Sequence, residues 1–379
     1  MKQWMKQSFI ISITTILIVT LLYSVEESEY IGEFYEWSAK THHSKPDQIR
    51  IDPFDDDIIW FTQPRVHGIA RFNFKTQVLK EYKTGNNKYR PDGLVIDSKG
   101  ILWFGEQSGR TLGMFDPKHE TFKHFRLPYK KANPAIPTID NKGMIWMSDH
   151  VNDKVVRFDP NEETFLVIDL PTPDSWVVDV KADSKNRIWY SCYESDRLGV
   201  IDLKKKTITE YPLPQKESGP SFMVLDSKER VWFTQWKSNG IGMFDPKKET
   251  FIEYMIPYDD PGPAAIAVDV DDVIYFSTKY MNSIIMFDPD EEENFYIFQI
   301  PTKKSGQKDG ITVDESGIVW FTQFDKNKIA RLNIMLKEDY KPGKSIKNRS
   351  YKVGMKYHAQ KYVSPSKNKE TFNLDELIN

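Results

Sequence analysis

The sequence predicts an all-β chain folded as a seven-bladed β-propeller, and three observations carry that prediction. The first is a tetrapeptide that returns seven times. It reads Trp60-Phe61-Thr62-Gln63, Trp103-Phe104-Gly105-Glu106, Trp146-Met147-Ser148-Asp149, Trp189-Tyr190-Ser191-Cys192, Trp232-Phe233-Thr234-Gln235, Tyr275-Phe276-Ser277-Thr278 and Trp320-Phe321-Thr322-Gln323. Successive copies start 43 residues apart, with 45 before the last. A fixed period of roughly 40–50 residues, built from short apolar strands, marks a radial propeller. The second observation is recurring turn chemistry, with Asp-Pro at 116–117, 159–160, 245–246 and 288–289. These aspartates are read as Asx-turn formers, not ligands. The third is that the two ends of the repeat array complement each other.

One repeat, residues 91–128, shows how a blade is written. Gly93-Leu94-Val95-Ile96-Asp97 is the inner strand, closed by Ser98-Lys99-Gly100. Ile101-Leu102-Trp103-Phe104 is the second strand and Thr111-Leu112-Gly113-Met114-Phe115 the third. Thr121-Phe122-Lys123-His124-Phe125 is the outer strand, ended by Pro128. The repeated aromatics are read as packing between blades. The N-terminal Gly32-Glu33-Phe34-Tyr35-Glu36-Trp37 resembles such an outer strand (Glu81-Tyr82, Glu210-Tyr211, Glu253-Tyr254) without inner strands of its own. The last repeat has inner strands through Leu332 and no outer one. The N-terminal strand is therefore expected to close the last blade, which removes two open sheet edges.

The flanks read differently. Residues 8–24 carry no charge, follow Lys2 and Lys6, and precede Glu26, Glu27 and Glu29. That pattern fits a signal anchor or a signal peptide, with residues 1–7 cytoplasmic and the propeller, residues 30–336, outside the cytoplasm. Residues 337–379 carry ten Lys or Arg against five Asp or Glu and no repeat, so a basic, solvated tail is expected. A net charge of −3 over 379 residues gives no case for nucleic acid as a partner. A single cysteine, Cys192, excludes an internal disulfide framework. The expected partners are a small-molecule or peptide ligand and, through the N-terminal helix, a membrane. The chain is expected to be a monomer.

Lys308-Asp309-Gly310-Ile311, Trp320-Phe321-Thr322-Gln323 and Lys328-Ile329-Ala330-Arg331 resemble the repeat of the virginiamycin B (streptogramin B) lyase family. The resemblance spans roughly residues 32–336. It implies a seven-bladed propeller that opens a cyclic depsipeptide by elimination, with a divalent cation such as magnesium. It also implies catalytic histidines at the starts of inner strands and acids after Trp-Phe. At the histidine positions this chain has Asp47, Asp92, Ala135, Val178, Ser221, Ala264 and Asp309. At the acid positions it has Gln63, Glu106, Asp149, Cys192, Gln235, Thr278 and Gln323.

Inner-strand starts and second-strand ends lie on one face of a propeller, so both sets are expected at one mouth of the central channel. The candidate ligand-binding residues are Asp47, Gln63, Arg65, Asp92, Tyr193, Ser221, Gln235, Trp236, Lys279, Asp309 and Gln323. The candidate catalytic residues are His150, Glu106 and Asp149, with His150 as base or ligand. The bland readings are a loop-starting histidine and aspartates at strand-entry turns. The expected function is a membrane-tethered propeller binding a small polar ligand, peptide or glycan. The alternative is a metal-assisted lyase with displaced catalytic groups.

Overall fold

The computed structural model describes residues 26–290, 293–341 and 349–378. The expected membrane or signal helix at 8–24 lies outside them. Among the described residues no helix is long and apolar enough to cross a membrane.

The described chain is all-β and forms a β-propeller. Four-stranded antiparallel units occupy residues 49–83, 95–126, 134–169, 177–212, 220–255 and 263–299. A seventh combines Ile311–Val313, Val319–Gln323 and Lys328–Leu336 with the N-terminal strand Glu26–Ser38. Successive inner strands are neighbours around a ring, and Ile311–Val313 lies beside Ile49–Asp52 to close it.

The closure is as the sequence implied. Phe34 faces Leu332 and Trp37 faces Ile329 in the antiparallel register. Glu36 receives the Gln323 amide at 2.5 Å, as Glu81 receives Gln63 at 2.8 Å and Glu253 receives Gln235 at 2.6 Å. The N-terminal strand thus fills an outer-strand position down to its side-chain bonds.

Two local devices make the period. In the first five blades the aspartate closing the inner strand takes the indole N–H of its own blade: Asp52–Trp60, Asp97–Trp103, Asp140–Trp146, Asp183–Trp189 and Asp226–Trp232, at 2.8–3.1 Å. In four of these turns its other oxygen takes the backbone N–H two and four residues on, as Asp140 does from Lys142 and Met144. One carboxylate therefore fixes the turn and seats the buried tryptophan. The tryptophan then packs on a phenylalanine of the following blade: Trp60 on Phe115, Trp103 on Phe158, Trp189 on Phe244 and Trp232 on Phe287. The Asp-Pro turns behave as read, each aspartate taking the N–H two residues on at 2.9 Å.

The C-terminal segment corrects the expectation of a solvated tail. Arg349–His358 inserts between the outer strand Asn294–Gln299 of the sixth blade and Glu26–Ser38 of the seventh. It fuses those blades into one nine-stranded sheet. Gln360–Pro365 then pairs with Thr250–Met255, and Glu370–Asn373 with Thr207–Pro212. Ile378 makes a bridge to Ile168. The segment is a belt that runs backwards around the rim and covers four blades' outer edges. A belt bonded through its backbone needs few apolar side chains and leaves its lysines to solvent. Tyr357, Ala359 and Leu374 are its buried anchors.

Candidate functional site

Inner-strand starts and second-strand ends pair with each other, as Pro134 does with Asp149 and Pro220 with Gln235, so they share one face. The register slips at each inner-strand start from the third to the sixth blade, which turns the first side chains toward the channel. The third residue of the repeated tetrapeptide anchors these starts. Thr322 donates its hydroxyl to the Asp47 carbonyl at 2.8 Å, Ser148 to Val178 at 2.9 Å and Ser191 to Ser221 at 2.5 Å.

Gly310 brings the last blade against the first. A Cβ there would stand 1.9 Å from the Asp47 carbonyl oxygen, so only glycine allows this approach. The approach sets Asp309 beside Asp47. Together with Asp92 they place one carboxylate oxygen each within 4.8 Å of the others. Lys308 bridges two of them, with its ammonium 3.1 Å from Asp47 and 2.6 Å from Asp309. Gln107 donates to Asp92. Asp47 is buried and its Oδ1 has no partner among the described residues. Burial, with the Asp309 and Asp92 charges, pushes its carboxyl well above the usual range, while Lys308 opposes the shift. Burial alone would lower the Lys308 ammonium, but the three carboxylates hold it well above its usual value. Three acids therefore share one ammonium.

The rest of the inner ring is apolar. Ala135, Ile136 and Val178 form a buried cluster with Tyr193 and Phe222 packed against it, and Ala264 is buried. Ser221 is buried, its hydroxyl donating to the Gly219 carbonyl at 3.2 Å. The mouth is thus acidic over the seventh, first and second blades and apolar over the third to sixth.

Its rim carries rings and lysines. Lys237 stands 4.4 Å over Tyr193 and pairs with Glu194, and Lys279 stands over both Trp236 and Tyr280. Arg65 is exposed in a short 3-10 turn. Trp176, half exposed, holds φ at 52° in the place where the next repeats use Gly219, Gly262 and Gly306 at 59–69°. A bulky residue is an outlier in that region of backbone space.

The fourth tetrapeptide position does not face the mouth. Gln63, Gln235 and Gln323 are buried inside their blades and reach outward to Glu81, Glu253 and Glu36. Glu106 is fully buried and takes the Thr111 hydroxyl and the His124 Nδ1, each at 2.7 Å. Asp149 is fully buried and takes the Tyr129 hydroxyl, the Asn133 N–H and the Asn152 amide. Successive strand residues point to opposite faces, so His150 turns away from Asp149 and meets the Val178 carbonyl at 3.2 Å. The three candidate catalytic residues are not brought together. Cys192 is buried and its thiol is pushed up by burial, which suits packing and not nucleophilic attack. The residues that sequence reasoning missed are Lys308, Gln107 and a set deeper in the channel, Arg50, Asp179 and Lys181.

The Gln235–Glu253 pair has a pH signature. Burial raises the Glu253 carboxyl above its usual value, although the Gln235 amide opposes it. A carboxyl whose pKa is higher folded than unfolded stabilises the fold below the ordinary carboxylate range. That contribution is lost as pH rises through the raised value. Glu253→Gln keeps an acceptor for Gln235 and removes the charge. Urea melts of this variant should show a flatter decline of stability above the carboxylate range and no loss at about pH 8. A less stable variant with the parental pH slope would show that the charge does not set it.

The magnesium that the resemblance implies does not fit the tetrapeptide positions, where Gln63, Gln235 and Gln323 are bound into the blades. The Asp47, Asp92 and Asp309 cluster does fit a hard cation. Two oxygens each about 2.4 Å from one ion stand at most about 4.8 Å apart, and an orphaned buried oxygen is available.

The fold recurs among solved structures. Virginiamycin B lyase from Staphylococcus aureus superposes with a TM-score of 0.74 at 23% identity, over 80% of this chain and 100% of that one. A streptogramin B lyase gives 0.73 at 25% identity, over 80% and 98%. The extracellular domain of a putative hybrid two-component system from B. thetaiotaomicron gives 0.60 at 14% identity, over 79% of this chain and 42% of that one. No curated protein matches the chain in sequence. The model of the virginiamycin B lyase family matches residues 23–287, and with the tetrapeptide spacing and the closed ring of blades it settles the kinship: the chain belongs to that family.

Proposed function

We propose that this chain is a ligand-binding propeller whose seven-bladed ring captures a small polar ligand at its mouth, with a hard divalent cation held by Asp47, Asp92 and Asp309. The observation that carries the reading is the carboxylate cluster itself, with a buried Asp47 oxygen that none of the described residues satisfies. A buried acceptor left unpaired costs on the order of 1–3 kcal/mol, and a cation would remove that cost. The cation would supply open coordination positions to the ligand's oxygens. Lys308 would orient the carboxylates, and the apolar wall around Val178 and Phe222 would cover the ligand's less polar side. Such a surface suits a peptide or glycan fragment as well as a free small molecule.

Calorimetric titration of the purified protein with magnesium, calcium and manganese tests this. One of the three should bind at about one equivalent, and Asp309→Asn should weaken it by roughly tenfold or more. At a hundredfold excess over Kd the bound ion should add about 2.7 kcal/mol to stability. No binding of any of the three ions would sink the cation reading.

Among the described residues the lyase alternative has no assembled centre to support it, since Glu106 and Asp149 bond His124 and Tyr129 inside their blades. Ring opening of a streptogramin B that His150→Ala abolishes would overturn that preference. The uncharged stretch 8–24 supports a further part of the proposal, a tether that holds the propeller outside the cytoplasm. Protease added to intact cells should then digest the protein, and full protection would contradict the tether.

A further inference from the structure

Below the carboxylate cluster the central channel widens into a cavity of about 220 Å³. Most of its wall is apolar, with Ile136, Phe222 and Ile311 among the lining side chains. Into this wall the first blade places Arg50 and the fourth places Asp179 and Lys181. Arg50 belongs to Ile49–Asp52 and so reaches across the channel toward Val177–Ala182 on the far side of the ring.

The carboxylate beside these two cations is already committed. The Asp179 carboxylate takes Lys181 at 2.6 Å, the Val180 N–H at 2.8 Å and the Met223 N–H at 2.9 Å. Arg50 donates once, from Nη1 to its neighbouring Ile49 carbonyl at 2.7 Å. A guanidinium has five N–H donors, so most of this fork is not used by the described residues. Two cations therefore share one saturated carboxylate inside a low-dielectric channel. Burial lowers both Arg50 and Lys181 from their usual values, and Asp179 only partly offsets this. Uncompensated buried charge is costly unless a counter-charge arrives.

We propose that Arg50 and Lys181 form an anion subsite in the channel, taking one carboxylate or phosphate group of a ligand that enters through the mouth. The chemistry matches the residues: a planar fork binds an oxyanion through two parallel hydrogen bonds, and the lysine adds a point charge. The volume matches too. At about 30 Å³ per water, the cavity holds an oxyanion and a short stem. Asp309 lines the upper part of the same cavity, so the ligand class is one with an oxyanion at one end and oxygen donors or a cationic group at the other. The inference rests on the mouth being the binding face, and its test is separable from that of the cation.

Inorganic phosphate and acetate are titrated separately into the full protein without divalent ions and at constant ionic strength. One equivalent of either anion should bind, and the arm that binds tells phosphate from carboxylate. Arg50→Met and Lys181→Met should each weaken binding by roughly tenfold or more, while Arg50→Lys should keep part of it. Asp309→Asn, which weakens the cation, takes a negative charge from the same cavity wall and should tighten anion binding. A thermal melt of each variant confirms folding, and if Arg50→Met does not fold, Lys181→Met and Arg50→Lys decide. Absence of binding by both anions, or binding unchanged in the folded Arg50 and Lys181 variants, would overturn the subsite. Failure of the metal titration alongside Arg50-dependent anion binding would remove the cation proposal alone.

Discussion

A chain ended after Lys341 should melt far below the intact protein and should aggregate as it does so. The belt it loses contributes in two ways. Tyr357 packs with Tyr254 and Phe295, and Leu374 packs with Ile168 and Ile208. Burying each such side chain stabilises by about 1.5–3 kcal/mol. The larger effect is topological. Arg349–His358 is the strand that joins the sixth and seventh blades, and without it the edges at Asn294–Gln299 and Glu26–Ser38 both open. Thr250–Met255 and Thr207–Pro212 lose their covering strands as well. Unpaired edges template association between chains. Thermal melts followed by circular dichroism and light scattering would measure both effects. A truncated chain with the parental melt and no scattering would show that the belt is an ornament on a self-sufficient ring.

Phe34→Ala should be the most damaging single substitution in the N-terminal strand, at about 3–5 kcal/mol in urea. Phe34 is fully buried, meets Phe321 edge to face at 6.3 Å and shares a core with Leu332 and Phe298. Its strand supplies the last blade's outer position from the other end of the chain, so its loss weakens ring closure and not only local packing. The transition should remain single and move to lower urea. A loss under about 1 kcal/mol would mean that the last blade holds without this strand.

Much of the architecture was legible because the repeat writes it in side chains. The inner-turn aspartates of the first five blades bind their own tryptophans, the Asp-Pro turns fall where read, and Glu36 in the N-terminal strand matches Glu81 and Glu253. The belt was not legible, because strands bonded through backbone at a rim carry neither the period nor an apolar face. The direction of Gln63, Gln235 and Gln323 was misread, although a signal existed. Gln63 and Gln235 each bond a glutamate 18 residues later, and Glu106 bonds His124 at the same offset. An offset kept with its polarity exchanged marks an intrablade pair, not a mouth. The Asp47, Asp92 and Asp309 positions were found by asking what replaces histidine. Arg50 and Lys181 were hidden because they lie on inner strands three blades apart, and only the closed ring brings them to one cavity.

The most direct test of the account is a manganese soak of crystals of this protein, read by anomalous scattering. One strong peak is expected among the carboxylates of Asp47, Asp92 and Asp309, lost in crystals of Asp47→Asn. A mouth without an anomalous peak, or a peak elsewhere that Asp47→Asn leaves unchanged, would contradict it.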